Sequence, residues 1–343
     1  MTDAKKRRFF PGSNTAHGFV GFFDSLRAQA RRAVILKGGP GVGKSTLMRE
    51  AGAHFEKAGQ EVRYYFCSGD PDSLDAVFAP EAGFLVLDGT VPHVVDPVLP
   101  GARDGILNLG VCLNEGQLSA QALEIETLCA EIADCYAQAY RYLRAALEIR
   151  RDAGAVYREA LPERERRRLI RDLLSRLPSG PLGEESHCFA QAITWKGVLQ
   201  EMDAVITGTV CCLDVPWGFD ADALLAPVWA AAGQAGLARI ACHDPLDAGK
   251  LAHVQAGGVL FATAALLDAP ALIPEWDAAV LRREASRLKF DRAVHDLCLN
   301  QAVECLSAAK SRHDALERYY IDAMDYARLN EIKAEFLASL PRE

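Results

Sequence analysis

Short apolar runs separated by polar or glycine-containing stretches dominate the first ninety residues. Three of them, Ala33–Leu36, Val62–Phe66 and Phe84–Leu87, have strand length and are bounded by turn-forming residues. Between the first two, apolar residues recur at helical spacing from about Lys44 to Lys57, and the glycine of Ala58-Gly59 suits a helix C-cap. This alternation predicts an α/β domain with a parallel sheet flanked by helices.

Longer helical patterns follow. From Gln117 to about Arg150 the apolar residues keep a helical period, which predicts a helix of roughly 50 Å at about 1.5 Å per residue. An arginine-rich helical stretch continues to about Leu177. We expect long helical arms that cover the first domain's site, with Arg141 and Arg144 directed at bound phosphates. A charge-rich helical face that is only solvated is the more common alternative.

A Pro- and Gly-rich stretch, residues 178–183, interrupts this pattern and predicts a linker. It divides the chain into a first domain, residues 1–180, whose helical arm spans about 114–177, and a second domain, residues 181–343. The second domain also ends in a mostly helical arm, residues 276–340. Its order of apolar runs repeats that of the first domain, which predicts an internal duplication.

The chemistry concentrates in the stretch GGPGVGKST, which follows the first apolar run and opens the first helix. It fits the phosphate-loop pattern G-x-x-x-x-G-K-[ST]. Its glycines let backbone N–H groups surround phosphate oxygens at a helix N-terminus. Lys44 is expected to reach the β and γ phosphates, and Ser45 to bind Mg²⁺. The predicted nucleotide-binding residues are Gly38, Gly39, Pro40, Gly41, Val42, Gly43, Lys44, Ser45 and Thr46.

Acidic residues follow the next two strands. Asp88 ends the run FLVLD, where the second hallmark of phosphate-loop NTPases places a magnesium-binding aspartate. The loop CSGDPDSLD carries Asp70, Asp72 and Asp75 at the edge where a parallel sheet binds ligands. Asp70 is a candidate base for an acceptor hydroxyl, although these residues also form turns. His93 and Asp96 are the nearest candidates for positioning water, because Gly89 stands where many ATPases carry glutamate. Either residue could equally satisfy loop backbone groups.

The second domain lacks these groups. When Pro216 is laid over Pro40, Lys44 falls on Asp220 and Ser45 falls on Ala221. On the same overlay Ala262 replaces Asp88. Carboxylates facing a triphosphate repel it, so we predict one working nucleotide site and one degenerate copy.

Composition adds limits. Half of the 343 residues are hydrophobic, 24% are charged and the net charge is −8, which is typical of a globular protein and does not favour a broad nucleic-acid surface. No apolar window has the length of a membrane span, and the amino-terminal stretch lacks the apolar core of a secretory signal. Ten scattered cysteines without a C-x-x-C pair indicate free thiols. We therefore expect a cytoplasmic protein without a membrane association.

These residues resemble an uncharacterised bacterial family of tandem phosphate-loop ATPases. The resemblance lies in GGPGVGKST, CSGDPDSLD, LDGTVPHVVDP and the closing HDALERYYIDAMDYARLNE, and it covers nearly the whole chain. It implies ATP binding by a doubled nucleotide-binding core, with Gly43, Lys44, Ser45 and Asp88 in their usual roles. It identifies no substrate. Many members carry a second phosphate loop, which this sequence does not.

Three functions remain open from the sequence. The first is an ATPase that uses Mg²⁺ and ATP, with the second half as scaffold or regulator. The second is a small-molecule or nucleotide kinase in which Asp70 accepts the acceptor's proton. The third is a nucleotide switch that does not hydrolyse. The protein partner or acceptor is not identified, and a homo-oligomer stays open because a neighbouring subunit could supply an arginine finger.

Overall fold

The computed structural model describes residues 6–180, 182–263 and 271–341 of the chain. The first half contains a six-stranded sheet, a two-stranded hairpin and a series of helices. Its elements are, in chain order, β1 (Lys6–Phe9), β2 (Gly12–Thr15), β3 (Gly18–Gly21), α1 (Phe23–Ala28), β4 (Arg32–Lys37), α2 (Lys44–Lys57), β5 (Val62–Phe66), β6 (Leu74–Ala79), β7 (Phe84–Asp88), β8 (Asp104–Asn108), α3 (Glu115–Ala120), α4 (Ala122–Ala160) and α5 (Glu163–Leu174).

The second half repeats this order, except that a short 3-10 helix replaces α1 and no helix of its described residues corresponds to α3. Its elements are β9 (Glu185–Cys188), β10 (Gln191–Thr194), β11 (Gly197–Gln200), β12 (Thr209–Leu213), α6 (Asp222–Gln234), β13 (Arg239–His243), β14 (Leu251–Ala256), β15 (Val259–Ala262), β16 (Ala271–Leu272), α7 (Ala278–Asp322) and α8 (Tyr326–Ala338).

The two sheets have the same topology. The strand order is β1-β5-β6-β7-β4-β8 in the first sheet and β9-β13-β14-β15-β12-β16 in the second. Each half also carries a separate two-stranded hairpin, β2-β3 and β10-β11. Every strand of the first half thus has a counterpart at the same place in the second, and the predicted duplication of an α/β unit is confirmed.

The prediction of a parallel sheet is wrong for one strand in each half. β6 runs antiparallel to both β5 and β7, and β14 runs antiparallel to both β13 and β15. The other neighbouring strands are parallel. Residues 67–73 and 80–83, which connect β6 to its neighbours, are too short for the crossover that parallel strands need. Both sheets are therefore mixed.

A local two-fold relation joins the halves at their centre. Phe10 and Phe189 follow β1 and β9, and each donates its backbone N–H to the other's carbonyl, at 3.0 and 2.9 Å. The two hairpins meet beside this pair, where the side chain of Asn14 donates to the carbonyl of Ile193 at 2.9 Å. Contact between equivalent residues is the signature of an isologous interface. The two halves therefore pack as a dimer would, within one chain.

The helical tails are exchanged between the halves. Leu329 and Phe336 of α8 share a buried cluster with Leu47 of α2 in the first half. Conversely, Leu169 of α5 shares a cluster with Leu224 of α6 in the second half. The predicted boundary at residue 180 separates two sequence copies, but each copy's core is completed by the other's tail.

Helices α4 and α7 form the predicted long arms. They have 39 and 45 residues, about 60 and 70 Å at about 1.5 Å per residue. Leu143 of α4 and Leu306 of α7 lie in one buried cluster over the hairpins. Both helices extend from one half to the other. α4 reaches the second half at Arg150, which pairs with Asp244, and α7 reaches the first half at Tyr320.

Candidate functional site

The segment between β4 and α2, residues 38–43, is a glycine-rich loop at the carboxyl end of a buried strand. Gly38, Gly41 and Gly43 have φ angles of 148°, 70° and 86°, in the region that only glycine adopts without strain. Gly43 is also the N-cap of α2. The glycines of this loop therefore allow the backbone to turn directly in front of the N-terminus of α2.

Lys44 lies against this loop with 9% of its surface exposed. Its Nζ donates to the carbonyls of Gly38 and Gly39, at 3.0 and 2.8 Å, and lies 3.5 Å from Oδ2 of Asp88. The two side chains meet because β4 and β7 are adjacent parallel strands, with Leu36 paired to Asp88. The structure therefore brings together the predicted lysine and aspartate.

The rest of the predicted set lies around this pair. Oδ1 of Asp88 accepts hydrogen bonds from the backbone N–H and hydroxyl of Thr90, at 2.9 and 2.6 Å, which leaves Oδ2 towards Lys44. Oγ of Ser45 accepts the N–H of Leu74 at 3.0 Å. Of the other motif residues, Val42 is buried in the core, Pro40 is half-buried and Thr46 is exposed on α2.

His93 is buried next to Asp88 and Asp75. Its Nδ1 donates to the backbone carbonyl of Asp88 at 3.1 Å, and its Nε2 lies 3.4 Å from Oδ1 of Asp75. Burial by itself disfavours the imidazolium, but the charges of Asp75 and then Asp88 outweigh it and raise the pKa of His93 to about 9. A charged imidazole with both nitrogens engaged is not a base. The hydrogen bond to the carbonyl of Asp88 fits the alternative prediction, in which His93 satisfies a backbone group of its loop.

Asp75 occupies a β-bulge. The register of β5 and β6 shifts between Tyr65 and Phe66, which leaves Asp75 without a cross-strand partner. The residue is 3% exposed, and its Oδ2 has no hydrogen-bond partner among the described residues. Bulges re-aim side chains and are frequent beside active sites. This unpartnered buried oxygen belongs to the residue after Leu74, whose backbone N–H binds Ser45.

The pKa of His93 predicts a pH dependence of stability. Because the folded pKa is raised from 6.5 to about 9, the stabilisation by this residue is complete below pH 6.5 and is lost as the pH rises through 9. A shift of this size corresponds to about 3 kcal/mol. We expect the free energy of unfolding of the wild type to fall towards that of His93→Gln between pH 6.5 and 9.5, as measured by urea unfolding. Parallel pH profiles of the two proteins would contradict the assignment.

Asp70 belongs to a turn. Its Oδ1 accepts the N–H of Asp72 at 3.3 Å, and its Oδ2 accepts the hydroxyl of Ser73 at 3.0 Å. Nζ of Lys310, on α7, lies 3.7 Å from the same Oδ2. The acidic loop does reach the predicted ligand edge, because the backbone N–H of Leu74 binds Ser45. The carboxylate of Asp70, however, accepts hydrogen bonds within its own turn. These bonds support the alternative that the residue forms a turn.

The sequence did not predict that α7 and α8 would contact the glycine-rich loop. Carbons of the Tyr320 ring lie within 2.4 to 3.2 Å of the position that a Cβ on Gly39 would take. Ile321 and the carbonyl of Glu317 approach Gly41 in the same way. These residues belong to the closing motif HDALERYYIDAMDYARLNE. The sequence pattern predicts a helix there but does not show which part of the protein the helix contacts. The loop glycines therefore also make room for helix α7.

The second half differs from the first in its chemistry, and the predicted overlay is off by one residue. Ala76 and Leu87 form a strand pair in the first half as His253 and Ala262 do in the second, so Asp88 corresponds to Thr263. The N–H of Leu251 binds Asp222 as that of Leu74 binds Ser45.

This register sets the equivalent positions in the second loop. Lys44 corresponds to Ala221, Gly43 to Asp220 and Gly41 to Gly218, whose φ is also positive at 88°. The alignment of Pro216 with Pro40 is therefore wrong by one residue. The second loop nevertheless lacks the lysine, as predicted.

A lysine reaches the second loop from elsewhere in the chain. Nζ of Lys250 lies 3.2 Å from Asp220 and 3.3 Å from Asp222. The arm arginines are also placed differently from the prediction. Arg141 and Arg144 are exposed and form no ion pair with a described residue, so they fit the solvated alternative.

Other predictions bear on metals, thiols and membranes. Within the described ranges, the one group of three close potential metal ligands is His313, Asp314 and Glu317 on the surface of α7, and it contains neither Ser45 nor Asp88. All ten cysteines are free thiols. No helix in the described part of the chain is long and apolar enough to cross a bilayer.

Comparisons with known proteins return nothing similar. The chain matches no protein-family model, and neither curated proteins nor solved structures give a match. The resemblance to tandem phosphate-loop ATPases therefore depends on the sequence motifs alone.

Proposed function

We propose that the first half binds ATP with Mg²⁺ at the loop of residues 38–46 and hydrolyses it. The observation that carries this proposal is the position of Lys44. Its buried ammonium lies between two loop carbonyls and Asp88, at the mouth of a loop with three glycines at positive φ and directly before a helix N-terminus. This combination of a cation, flexible backbone and a helix dipole suits a polyphosphate.

Each side chain has a role that follows from its contacts. Lys44 would exchange its loop carbonyls for phosphate oxygens and, with the loop N–H groups, stabilise the charge of the transferring phosphoryl group. Ser45 and Asp88 offer the hard oxygen ligands that Mg²⁺ prefers. Mg²⁺ held there would supply charge neutralisation at the phosphates. His93 would keep Asp88 in place.

A nucleotide switch is the second candidate, and the placement of the two predicted bases favours it. His93 is an imidazolium with both nitrogens engaged, and the Asp70 carboxylate accepts hydrogen bonds within its turn. Neither group is ready to activate water. We therefore expect hydrolysis to be slow compared with that of ATPases that carry a dedicated glutamate. A kinase with Asp70 as its base has no comparable support.

The second half would act as scaffold or regulator. It lacks the lysine, and Asp220 and Asp222 place negative charge where the first half has Gly43 and Ser45. Because α4 and α7 each contact both halves, a change at one loop can be transmitted to the other through rigid helices.

Phosphate release separates the proposed ATPase from its alternatives. The intact chain, incubated with ATP and Mg²⁺ but without an acceptor, is expected to release inorganic phosphate, and chelation of Mg²⁺ by EDTA is expected to stop the release. Tight ATP binding without release would favour the switch. Release or phosphate transfer only after addition of a small metabolite would favour the kinase.

A further inference from the structure

The second half contains a cavity at the place that corresponds to the loop of the first. Its volume is about 570 Å³ and it lies between the loop of residues 214–221 and helix α4. Its lining includes Gly218, Ala221 and Thr263, the counterparts of Gly41, Lys44 and Asp88. Cavities that bind small molecules usually measure about 300 to 1,000 Å³. The second half thus has a ligand-sized space at this place, lined by different chemical groups from those of the first loop.

The helix end beside this cavity is not suited to a triphosphate. Asp222 stands in the first turn of α6, and its Oδ1 accepts the N–H of Leu251 at 3.0 Å. Asp220 lies beside it, and Lys250 pairs with both carboxylates. Protein carboxylates therefore occupy the helix end that binds phosphate in a phosphate loop, and the two of them share the single positive charge of Lys250.

The wall formed by α4 is different, because it presents three arginines. Arg150 and Arg158 lie two helical turns apart on one face of α4, and Arg151 adjoins them. Between them Gly154 packs closely against the backbone carbonyl of Gly218. Arg150 donates two hydrogen bonds to the carboxylate of Asp244, at 2.9 and 2.7 Å. Arg151 binds Glu148 and Asp247, and half of its side chain is exposed.

Arg158 is exposed like Arg141 and Arg144, but it lines the cavity, and it makes no hydrogen bond or ion pair with a described residue. The acids that line the cavity, Asp220, Asp244 and Asp247, each already have a basic partner. Arg150, Arg151 and Lys250 are the bases in these pairs, so Arg158 is the one basic side chain of the described lining without an acidic partner. The wall beside it includes Val215, Pro216 and Phe219, which suit an apolar group.

We propose that this cavity is a second ligand site, which binds a small organic anion with an apolar body. Arg158 holds the anionic group, the exposed edge of Arg151 adds further donors, and the apolar wall covers the rest of the molecule. Guanidinium groups bind phosphates and carboxylates with paired N–H donors, so both phosphate monoesters and carboxylates have the required chemistry. This site does not depend on nucleotide binding by the first half.

The test uses isothermal titration calorimetry with phenyl phosphate, benzoate and inorganic phosphate, and with neutral benzyl alcohol as the uncharged control. The protein is the intact chain with Lys44→Ala, which removes the cation of the first loop. We expect one aromatic anion to bind one equivalent per chain and benzyl alcohol not to bind. A preference for phenyl phosphate or for benzoate identifies the anionic class.

Substitution of Arg158 decides where the anion binds. Arg158→Gln is expected to weaken the bound anion at least about tenfold, the usual loss for a hydrogen bond to a charged group. Arg141→Gln, on an exposed part of the same helix, should leave the affinity unchanged. The proposal is overturned if no probe binds, if benzyl alcohol binds as well as the anions, if Arg158→Gln has no effect, or if Arg141→Gln weakens binding equally.

Discussion

Lys44→Ala is expected to weaken the binding of ATP in the presence of Mg²⁺ at least about a hundredfold. The Lys44 ammonium is the nearest cation to the loop carbonyls of Gly38 and Gly39. Two hydrogen bonds from a charged donor to phosphate oxygens contribute about 1.5 to 3 kcal/mol each, and about 2.7 kcal/mol already corresponds to a hundredfold. Filter binding of radiolabelled ATP to the intact chain measures the loss.

Asp220→Ala is the matched control, because Asp220 lies in the equivalent loop of the second half. It pairs with Lys250 and is expected to leave ATP binding unchanged. Equal losses in the two variants would contradict the assignment of the nucleotide to the first half. Unchanged binding in Lys44→Ala would remove the lysine from the site.

Phe336→Ala is expected to destabilise the protein by about 3 to 5 kcal/mol. Phe336 lies near the end of the chain, on α8, yet it is 8% exposed and belongs to the cluster that contains Leu47 and Met48 of α2. Truncation of a buried phenylalanine removes its transfer free energy and leaves a cavity. Guanidinium chloride unfolding followed by circular dichroism gives the change in the free energy of unfolding.

Phe290→Ala is the control on the same helical tail. Phe290 is 67% exposed on α7, so its loss should change stability by no more than about 0.5 kcal/mol. If Phe336→Ala were as mild as Phe290→Ala, the exchange of helical tails between the halves would be wrong, since α8 would then be a free arm.

The sequence predicted the centre of the candidate site because its residues are close together in the chain or follow adjacent strands. The loop from Gly38 to Ser45 is a continuous motif, and Asp88 follows an apolar run of strand length. Adjacent parallel strands end at the same edge of a sheet, so the pairing of β4 with β7 brings Lys44 and Asp88 together. Local pattern and strand direction were sufficient here.

The antiparallel strand β6 was missed because a charged residue stands within it. Asp75 interrupts an otherwise apolar segment directly after a turn-forming loop, so the sequence indicated only a loop there. In the structure Asp75 lies at a bulge, and its buried carboxylate pairs with His93. A bulge cannot be read from a period-two pattern, and for this reason the sheet was predicted to be parallel.

Two further differences come from contacts that are distant in sequence. The alignment of the halves relied on matching Pro216 with Pro40, whereas the true register depends on hydrogen bonds between strands, which align Gly41 with Gly218. The exchange of α5 and α8 is equally invisible in the sequence. An amphipathic helix shows that it has an apolar face but does not show which half covers that face.

The most direct test of the account is the number of nucleotides that the chain binds. Isothermal titration calorimetry of the intact wild-type chain with ATP and Mg²⁺ is expected to give one equivalent per chain, and no binding when EDTA removes the Mg²⁺. Two equivalents would contradict the difference between the halves. No uptake of ATP under any of these conditions would contradict the proposed nucleotide site itself.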